Sequence, residues 1–209
     1  MTDLNEKPAT PHRRRIWDFA FEAVLKRRED ETGRPIKVAA VTLLFWVVKI
    51  LTTGMGETTS DFFVRRFEPF IVVIIGAVLF LGALLLQLAT RRFVPWVYWL
   101  AVVMVSVFGT MAADVMHVGF GIPYIVSTVF FAVALAVVFA GWFASERTLS
   151  IHSIDTPRRE LFYWAAVLTT FALGTATGDL TATTLQLGYF ASGVLFAIIF
   201  AFPLLPIGS

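Results

Sequence analysis

The sequence predicts an all-α, polytopic membrane protein, a bundle of six transmembrane helices built as three parallel two-helix repeats. Three observations support this fold class. Hydrophobic residues make up 57% of the 209 residues and charged residues only 15%, where a soluble domain carries about 25% charged residues. The apolar residues lie in long runs, which is typical of membrane-spanning segments. A spaced motif also occurs three times, which indicates internal repeats.

The repeated motif is a tryptophan, a glycine ten residues later and an aspartate fifteen residues later. The three copies begin at Trp46, Trp99 and Trp164. They continue with the glycines Gly56, Gly109 and Gly174, and end with the aspartates Asp61, Asp114 and Asp179. An aromatic residue precedes each tryptophan, namely Phe45, Tyr98 and Tyr163. Three copies without a gap predict that these positions are structurally equivalent.

The chain divides into a cytoplasmic polar tail, 1–37, and a transmembrane domain, 38–206. Residues 16–28 of the tail are compatible with a short helix at the membrane interface or with a soluble segment. The transmembrane domain contains six apolar segments at 38–56, 70–89, 94–117, 123–144, 160–180 and 188–206. Each can cross about 30 Å of hydrocarbon as a helix, and a helix satisfies its own backbone in lipid. Two spans each give repeats at about 38–89, 94–144 and 160–206.

The distribution of basic residues predicts the orientation. The region through Lys37 holds nine Lys and Arg, the loop after the second span two, and the loop after the fourth span three. The opposite side holds only Arg65 and Arg66. By the positive-inside rule, both termini are expected to be cytoplasmic. Repeats of two spans share one orientation, as in transporters whose repeats are related by an axis along the membrane normal.

The motif helices carry oxygen-bearing side chains one turn apart, on one face of each helix. The pairs are Glu57 with Asp61, Thr110 with Asp114, and Thr175 with Asp179. Each aspartate lies about 22 Å beyond its tryptophan, so the carboxylates are expected near the external end. A charged group at the centre of a span costs about 2.5–3.5 kcal/mol unless it faces protein or water. The three helices are therefore predicted to share a polar interior, with oxygens of the kind that hard cations prefer.

A candidate substrate or ion pathway follows from these positions. It comprises Lys49, Glu57, Asp61, Thr110, Asp114, Thr175 and Asp179. Lys49 has Thr53 and Glu57 on its helix face, so either an interior partner or a lysine that snorkels through lipid explains it. A second set is expected to serve repeat packing, because small residues let membrane helices approach closely. It comprises Trp46, Gly56, Trp99, Gly109, Trp164 and Gly174. Alternatively, the aspartates face water and the threonines and glycines serve packing alone.

Several function classes are disfavoured by the sequence. The chain has no cysteine, which excludes disulfides, thiolate catalysis and cysteine metal sites. No nucleophile elbow, Walker loop, HExxH or dinucleotide motif occurs. We therefore expect no enzyme, no catalytic residue, no cofactor, no metal site and no nucleic-acid partner. Two functions remain open: a small transporter of a cation or solute, and a non-transporting membrane scaffold or assembly protein. The lipid bilayer is the expected partner of either.

Three stretches of the chain resemble a known family. They are FWVVKILTTGMGETTSD (45–61), YWLAVVMVSVFGTMAADVMHVGFGIPY (98–124) and YWAAVLTTFALGTATGDLTA (163–182). Together they resemble the bacterial membrane-protein family known only as a repeat of unknown function, over roughly 37–206. The resemblance implies a predicted membrane-anchored protein of the bacterial inner membrane, with four tandem two-span repeats and no established activity. Three repeats are visible here, so we expect a truncated or short member, or one completed by a homo-oligomer or another partner.

Overall fold

The computed structural model describes residues 37–39 and 42–201, without the side chains of residues 152, 200 and 201. Within these residues the fold is all-α, with six helices and no strand. In chain order, the helices α1 to α6 are Leu43–Arg66, Pro69–Ala89, Pro95–Asp114, Tyr124–Glu146, Pro157–Asp179 and Gly188–Ala201. The predicted interfacial segment 16–28 and the end of the sixth segment lie outside the described residues.

The first helix begins and ends later than predicted. The apolar run suggested 38–56, whereas α1 runs from Leu43 to Arg66. Thr42 caps its start, since its side chain accepts a hydrogen bond from the backbone amide of Phe45 at 3.2 Å. The helix continues through its polar second half because Ser60 and Val64 are buried against the bundle. Asp61 therefore lies inside the helix rather than beyond it.

Local sequence signals explain the other helix starts. Proline occupies the first turn of α2, α3 and α5, where a missing amide hydrogen costs nothing. Glu68 caps α2 by accepting from the amide of Ile71 at 2.9 Å. Thr156 caps α5 in the same way, accepting from the amide of Arg159 at 3.3 Å. These helices begin within about three residues of the predicted segments, in line with normal boundary uncertainty.

The three motif helices form an arc with α3 in the middle. Helix α3 packs against α1 on one side and against α5 on the other. Helix α2 packs mainly on α3, and α4 packs mainly on α5. Accordingly, 61% of the most apolar stretch of α3 is buried, against 22% of that of α2 and 17% of that of α4. The second helix of each of the first two repeats therefore covers the motif helix of the following repeat.

Four helices are long and apolar enough to cross a membrane by length and composition. They are α2, α3, α4 and α5, where α3 and α5 are counted together with the helical turns that follow them. Helix α1 is 24 residues long but carries Lys49, Glu57 and Asp61. Helix α6 is described over 14 residues. The structure thus confirms membrane-type helices, with four candidate spans among the described residues, while six spans stay a prediction.

The best-packed region lies at the level of Trp46, Trp99 and Trp164, here called the tryptophan end. Its core contains Tyr98 and Trp164, each only 1% exposed, together with Phe80 and Ile154. The opposite end of the arc, at the level of Asp61, Asp114 and Asp179, is called the aspartate end. Packing is therefore concentrated at one end of the motif helices and polar side chains at the other.

A buried polar cluster joins three chain segments at the tryptophan end. The ammonium of Lys37 pairs with the carboxylate of Glu160, and both side chains are buried. Gln87 donates to Glu160 Oε1 at 2.8 Å, and Lys37 also donates to the carbonyl of Leu88 at 3.3 Å. The amide of Lys37 donates to the carbonyl of Ile154 at 3.3 Å. The segment before α1, the end of α2 and the start of α5 are thereby tied together.

Candidate functional site

Equivalent positions of the three repeats meet between the motif helices. The residues that follow the motif glycines are Glu57, Thr110 and Thr175. The Thr110 hydroxyl lies 3.2 Å from Glu57 Oε2, and the Thr175 hydroxyl lies 3.3 Å from the same oxygen. The two hydroxyls are themselves 3.2 Å apart. These three side chains form one hydrogen-bonded unit, called the Glu–Thr layer.

One turn further along, the three motif aspartates line a single cleft, called the aspartate cleft. Its cavity volume is about 20 Å³, which is room for about one water molecule. Its lining residues are Asp61, Val64, Arg65, Asp114, His117, Val118, Tyr124 and Asp179. Three carboxylates of equivalent position therefore converge at the aspartate end, as the repeat spacing predicts.

The aspartates have different surroundings within the cleft. Asp114 is buried and accepts a hydrogen bond from the hydroxyl of Ser60 at 2.6 Å. Asp61 lies 3.5 Å from the guanidinium of Arg65, in an exposed pair one turn apart. Asp179 is half-buried. Three carboxylates thus face one guanidinium, which makes the cleft attractive to cations.

Two of the motif helices end in π-helical turns immediately after their aspartates. The turns are Val115–Gly119 after Asp114 and Leu180–Thr184 after Asp179. Such turns are rare and are often found at functional sites. The first turn holds His117 at the rim of the cleft, where Nδ1 donates to the carbonyl of Ile122 at 3.0 Å. His117 Nε2 lies 3.2 Å from the hydroxyl of Ser127.

Lys49 lies two turns from Glu57, toward the tryptophan end. Its ammonium is 4.1 Å from the ring centroid of Phe171, within the range of a cation–π contact. No carboxylate of the described residues is within 4.0 Å of the Lys49 ammonium. Lys49 therefore has an interior partner on α5, but this partner is an aromatic ring rather than Glu57.

Aromatic residues close the tryptophan end of the same interior. The hydroxyls of Tyr98 and Tyr163 are 2.8 Å apart, and the ring of Phe45 is 5.7 Å from that of Trp99. Tyr98, Tyr163 and Phe45 are the three residues that precede the motif tryptophans. The aromatic residues, the Glu–Thr layer and the aspartate cleft thus follow one another between the motif helices. The line from Lys49 through the Glu–Thr layer to the aspartate cleft is called the polar axis.

The residues assigned to repeat packing do not behave alike. A Cβ added to Gly56 would lie 2.7 Å from Ser106 Cβ, and one added to Gly109 would lie 2.7 Å from Phe171 Cβ. Both glycines therefore permit a close approach of motif helices. At Gly174 no atom lies within 4 Å of such a Cβ. Within the described residues, Gly174 makes no close contact of this kind.

The motif tryptophans also differ in their exposure. Trp164 is 1% exposed and Trp46 is 53% exposed, while Trp99 is intermediate. Helix α5 is covered by α4 and α3, whereas α1 packs mainly on α3, with fewer contacts to α2 and single side-chain contacts to α5. The burial of the tryptophan therefore increases along the arc from the first repeat to the third.

Sequence reasoning did not predict Ser60 as the partner of Asp114. Its equivalents in the other repeats are Ala113 and Gly178, so the repeat gives no signal for a hydroxyl here. The Lys37, Gln87 and Glu160 cluster was also missed, because none of the three belongs to the repeated motif.

Comparison with known families gives one result. A family model described as Repeat of Unknown Function (DUF347) matches three segments of the chain, 44–93, 97–148 and 162–205. Each matched segment contains one motif, and together the segments overlap every helix from α1 to α6. The match confirms the three repeats predicted from the tryptophan, glycine and aspartate spacing. No curated protein and no solved structure matches the chain.

Proposed function

This chain belongs to the DUF347 repeat family, and from its own geometry we propose that it is a small transporter that passes a cation along the polar axis. One observation carries the proposal: side chains at equivalent positions of three repeats converge on a single line between the motif helices. The Glu–Thr layer and the aspartate cleft lie one helical turn apart on that line. Transporter sites are often formed where repeats meet.

The proposed setting is the bacterial inner membrane, with all six helices crossing the bilayer and both termini in the cytoplasm. The excess of Lys and Arg at the tryptophan end supports this orientation. The aspartate cleft then opens to the outside. Helix α1, despite its charges, crosses as part of the arc, because Glu57 and Lys49 face other helices rather than lipid.

Cation binding in this scheme uses oxygens from two levels. A cation entering the cleft exchanges part of its hydration shell for carboxylate oxygens of Asp61, Asp114 and Asp179. One turn further, Glu57 and two threonine hydroxyls offer the next set of oxygens. Lys49 and the Tyr98–Tyr163 contact close the axis beyond that level, so passage requires a rearrangement at the tryptophan end.

The alternative is a non-transporting scaffold or assembly protein. A specific observation favours it: Asp114 is hydrogen-bonded to Ser60, and Glu57 to Thr110 and Thr175. Interhelical hydrogen bonds of this kind stabilise membrane proteins by about 0.6 kcal/mol each. Under this alternative, the polar side chains hold the arc together and bind no solute.

Flux measurements separate the two functions. We expect the purified chain in proteoliposomes to transport one member of a panel of monovalent and divalent cations. Changing Asp61, Asp114 and Asp179 together to asparagine is expected to reduce that flux by about tenfold or more, because neutral amides lose the charge that attracts the cation. Size-exclusion chromatography of the variant controls for folding. Absence of flux from the inserted wild-type chain, across the whole panel, would support the scaffold instead.

A further inference from the structure

Two internal contacts between repeats follow the same rule. Gly56 of α1 packs against Ser106 of α3, and Gly109 of α3 packs against Phe171 of α5. Ser106 precedes Gly109 by three residues, and Phe171 precedes Gly174 by three residues. Gly56 and Gly109 therefore each face the position three residues before the glycine of the next motif helix.

The second helix of a repeat follows a matching rule. Helix α2 packs on α3 at Val107 and Met111, which lie two residues before and two after Gly109. Helix α4 packs on α5 at Ala172 and Ala176, the same two positions around Gly174, through Phe131. Each interface between repeats thus has a glycine contact and a second-helix contact.

Both parts of this interface are uncovered on the third repeat. Gly174 is exposed and has open space around it, and Gly178, one turn on, is also open. Helix α6 packs mainly on α5 and its π turn, and its Tyr189 also approaches Arg65 of α1. Tyr189 and Phe190 are 69% and 87% exposed. Glycines four residues apart form a surface that other membrane helices approach closely.

The complementary surface is uncovered on α1. The residue three before Gly56 is Thr53, and the residues two before and two after it are Gly54 and Thr58. All three are exposed. Ile50 and Leu51 on the same helix are 68% and 66% exposed. On α3 and α5, these three positions contact the preceding repeat. On α1 the same positions are uncovered.

We propose that α1 of a second copy of this chain docks on the open surface of the third repeat, with its Thr53 against Gly174 and its Gly54 and Thr58 under α6. The interface repeats the register of the two internal contacts. Helices α1 and α5 run in the same direction because four helix connections separate them, so both copies keep one membrane orientation. Two copies related by a two-fold axis along the membrane normal can each place α1 on the third repeat of the other, which covers both free surfaces.

Cysteine cross-linking tests this register, since the natural chain contains no cysteine. Thr53→Cys is placed in a chain with a short tag and Gly174→Cys in a chain with a long tag, and the two are expressed together in membranes. Mild oxidation is expected to give a product of mixed size. A matched control replaces Gly174→Cys by Gly82→Cys, a glycine of α2 that is equally open, and is expected to give at least about tenfold less product.

Three outcomes would overturn the proposal. One is cross-linking of Gly174→Cys with itself but not with Thr53→Cys, which indicates a symmetric α5–α5 contact. Another is a Thr53→Cys, Gly174→Cys double variant that oxidises only within one chain. The third is a yield no greater than that of the Gly82→Cys control. Gly174→Leu provides a second measurement, since it is expected to suppress the mixed product of a Thr53→Cys and Gly178→Cys pair.

Discussion

Replacing Glu160 with alanine is expected to lower the free energy of unfolding by about 3–5 kcal/mol, because removing one partner leaves the buried Lys37 ammonium without a counter-charge. The side chains of both residues are almost fully buried, at 6% and 0% exposure. Gln87 would also lose the carboxylate oxygen to which it donates. The measurement is reversible chemical denaturation of the purified protein in detergent, followed by tryptophan fluorescence.

The matched control for this prediction is Arg158→Ala. The guanidinium of Arg158 lies 3.9 Å from Glu146 in a pair whose arginine is 71% exposed, so its loss is expected to cost no more than about 1 kcal/mol. Pairing Glu160→Leu with Lys37→Met is expected to recover much of the lost stability, because no charge then remains buried. Equal stabilities for Glu160→Ala and Arg158→Ala would show that the buried pair does not form.

Gly109→Leu and Gly174→Leu are expected to have opposite outcomes although the two glycines occupy equivalent motif positions. At Gly109 an added Cβ would meet Phe171 Cβ at 2.7 Å and the Leu168 carbonyl oxygen at 3.2 Å, so leucine is expected to cost about 3 kcal/mol of stability. At Gly174 the space is open, and the change is expected to stay within about 0.5 kcal/mol. Unfolding of the monomeric protein in detergent measures both changes.

This pair of variants tests the arc directly. If Gly174→Leu destabilised the monomer as much as Gly109→Leu, the surface of α5 at Gly174 would be packed against another part of the same chain. Sequence reasoning assigned both glycines to repeat packing. It could not separate them, because the motif fixes which residues are equivalent but not which repeat has a neighbour.

The repeat made the site partly predictable. The common spacing predicts that Asp61, Asp114 and Asp179 converge, and the structure places all three in one cleft. The same spacing accounts for the Glu–Thr layer, since Glu57 and its threonine partners share one motif position. The helical period predicts which side chains share a helix face, and the internal repeat predicts which of these faces lie against each other.

Features outside the repeat were not predictable in the same way. The apolar run that ends near Gly56 gave the wrong bounds for α1, because tertiary contacts of Ser60 and Val64 extend the helix through a polar stretch. The pairing of Lys37 with Glu160 joins residues separated by 123 positions, and no local pattern encodes it. For Lys49 the sequence leaves an interior partner and a snorkelling lysine open, because its contact with the Phe171 ring depends on how α1 and α5 face each other.

The most direct test of the polar axis compares cation flux through Glu57→Gln and Glu68→Gln in proteoliposomes. Glu57 accepts from both threonines of the Glu–Thr layer, while Glu68 is exposed at the start of α2 and caps that helix. We expect Glu57→Gln to reduce flux by about tenfold or more and Glu68→Gln to leave it unchanged. Equal flux through the two variants would contradict a cation pathway along the polar axis.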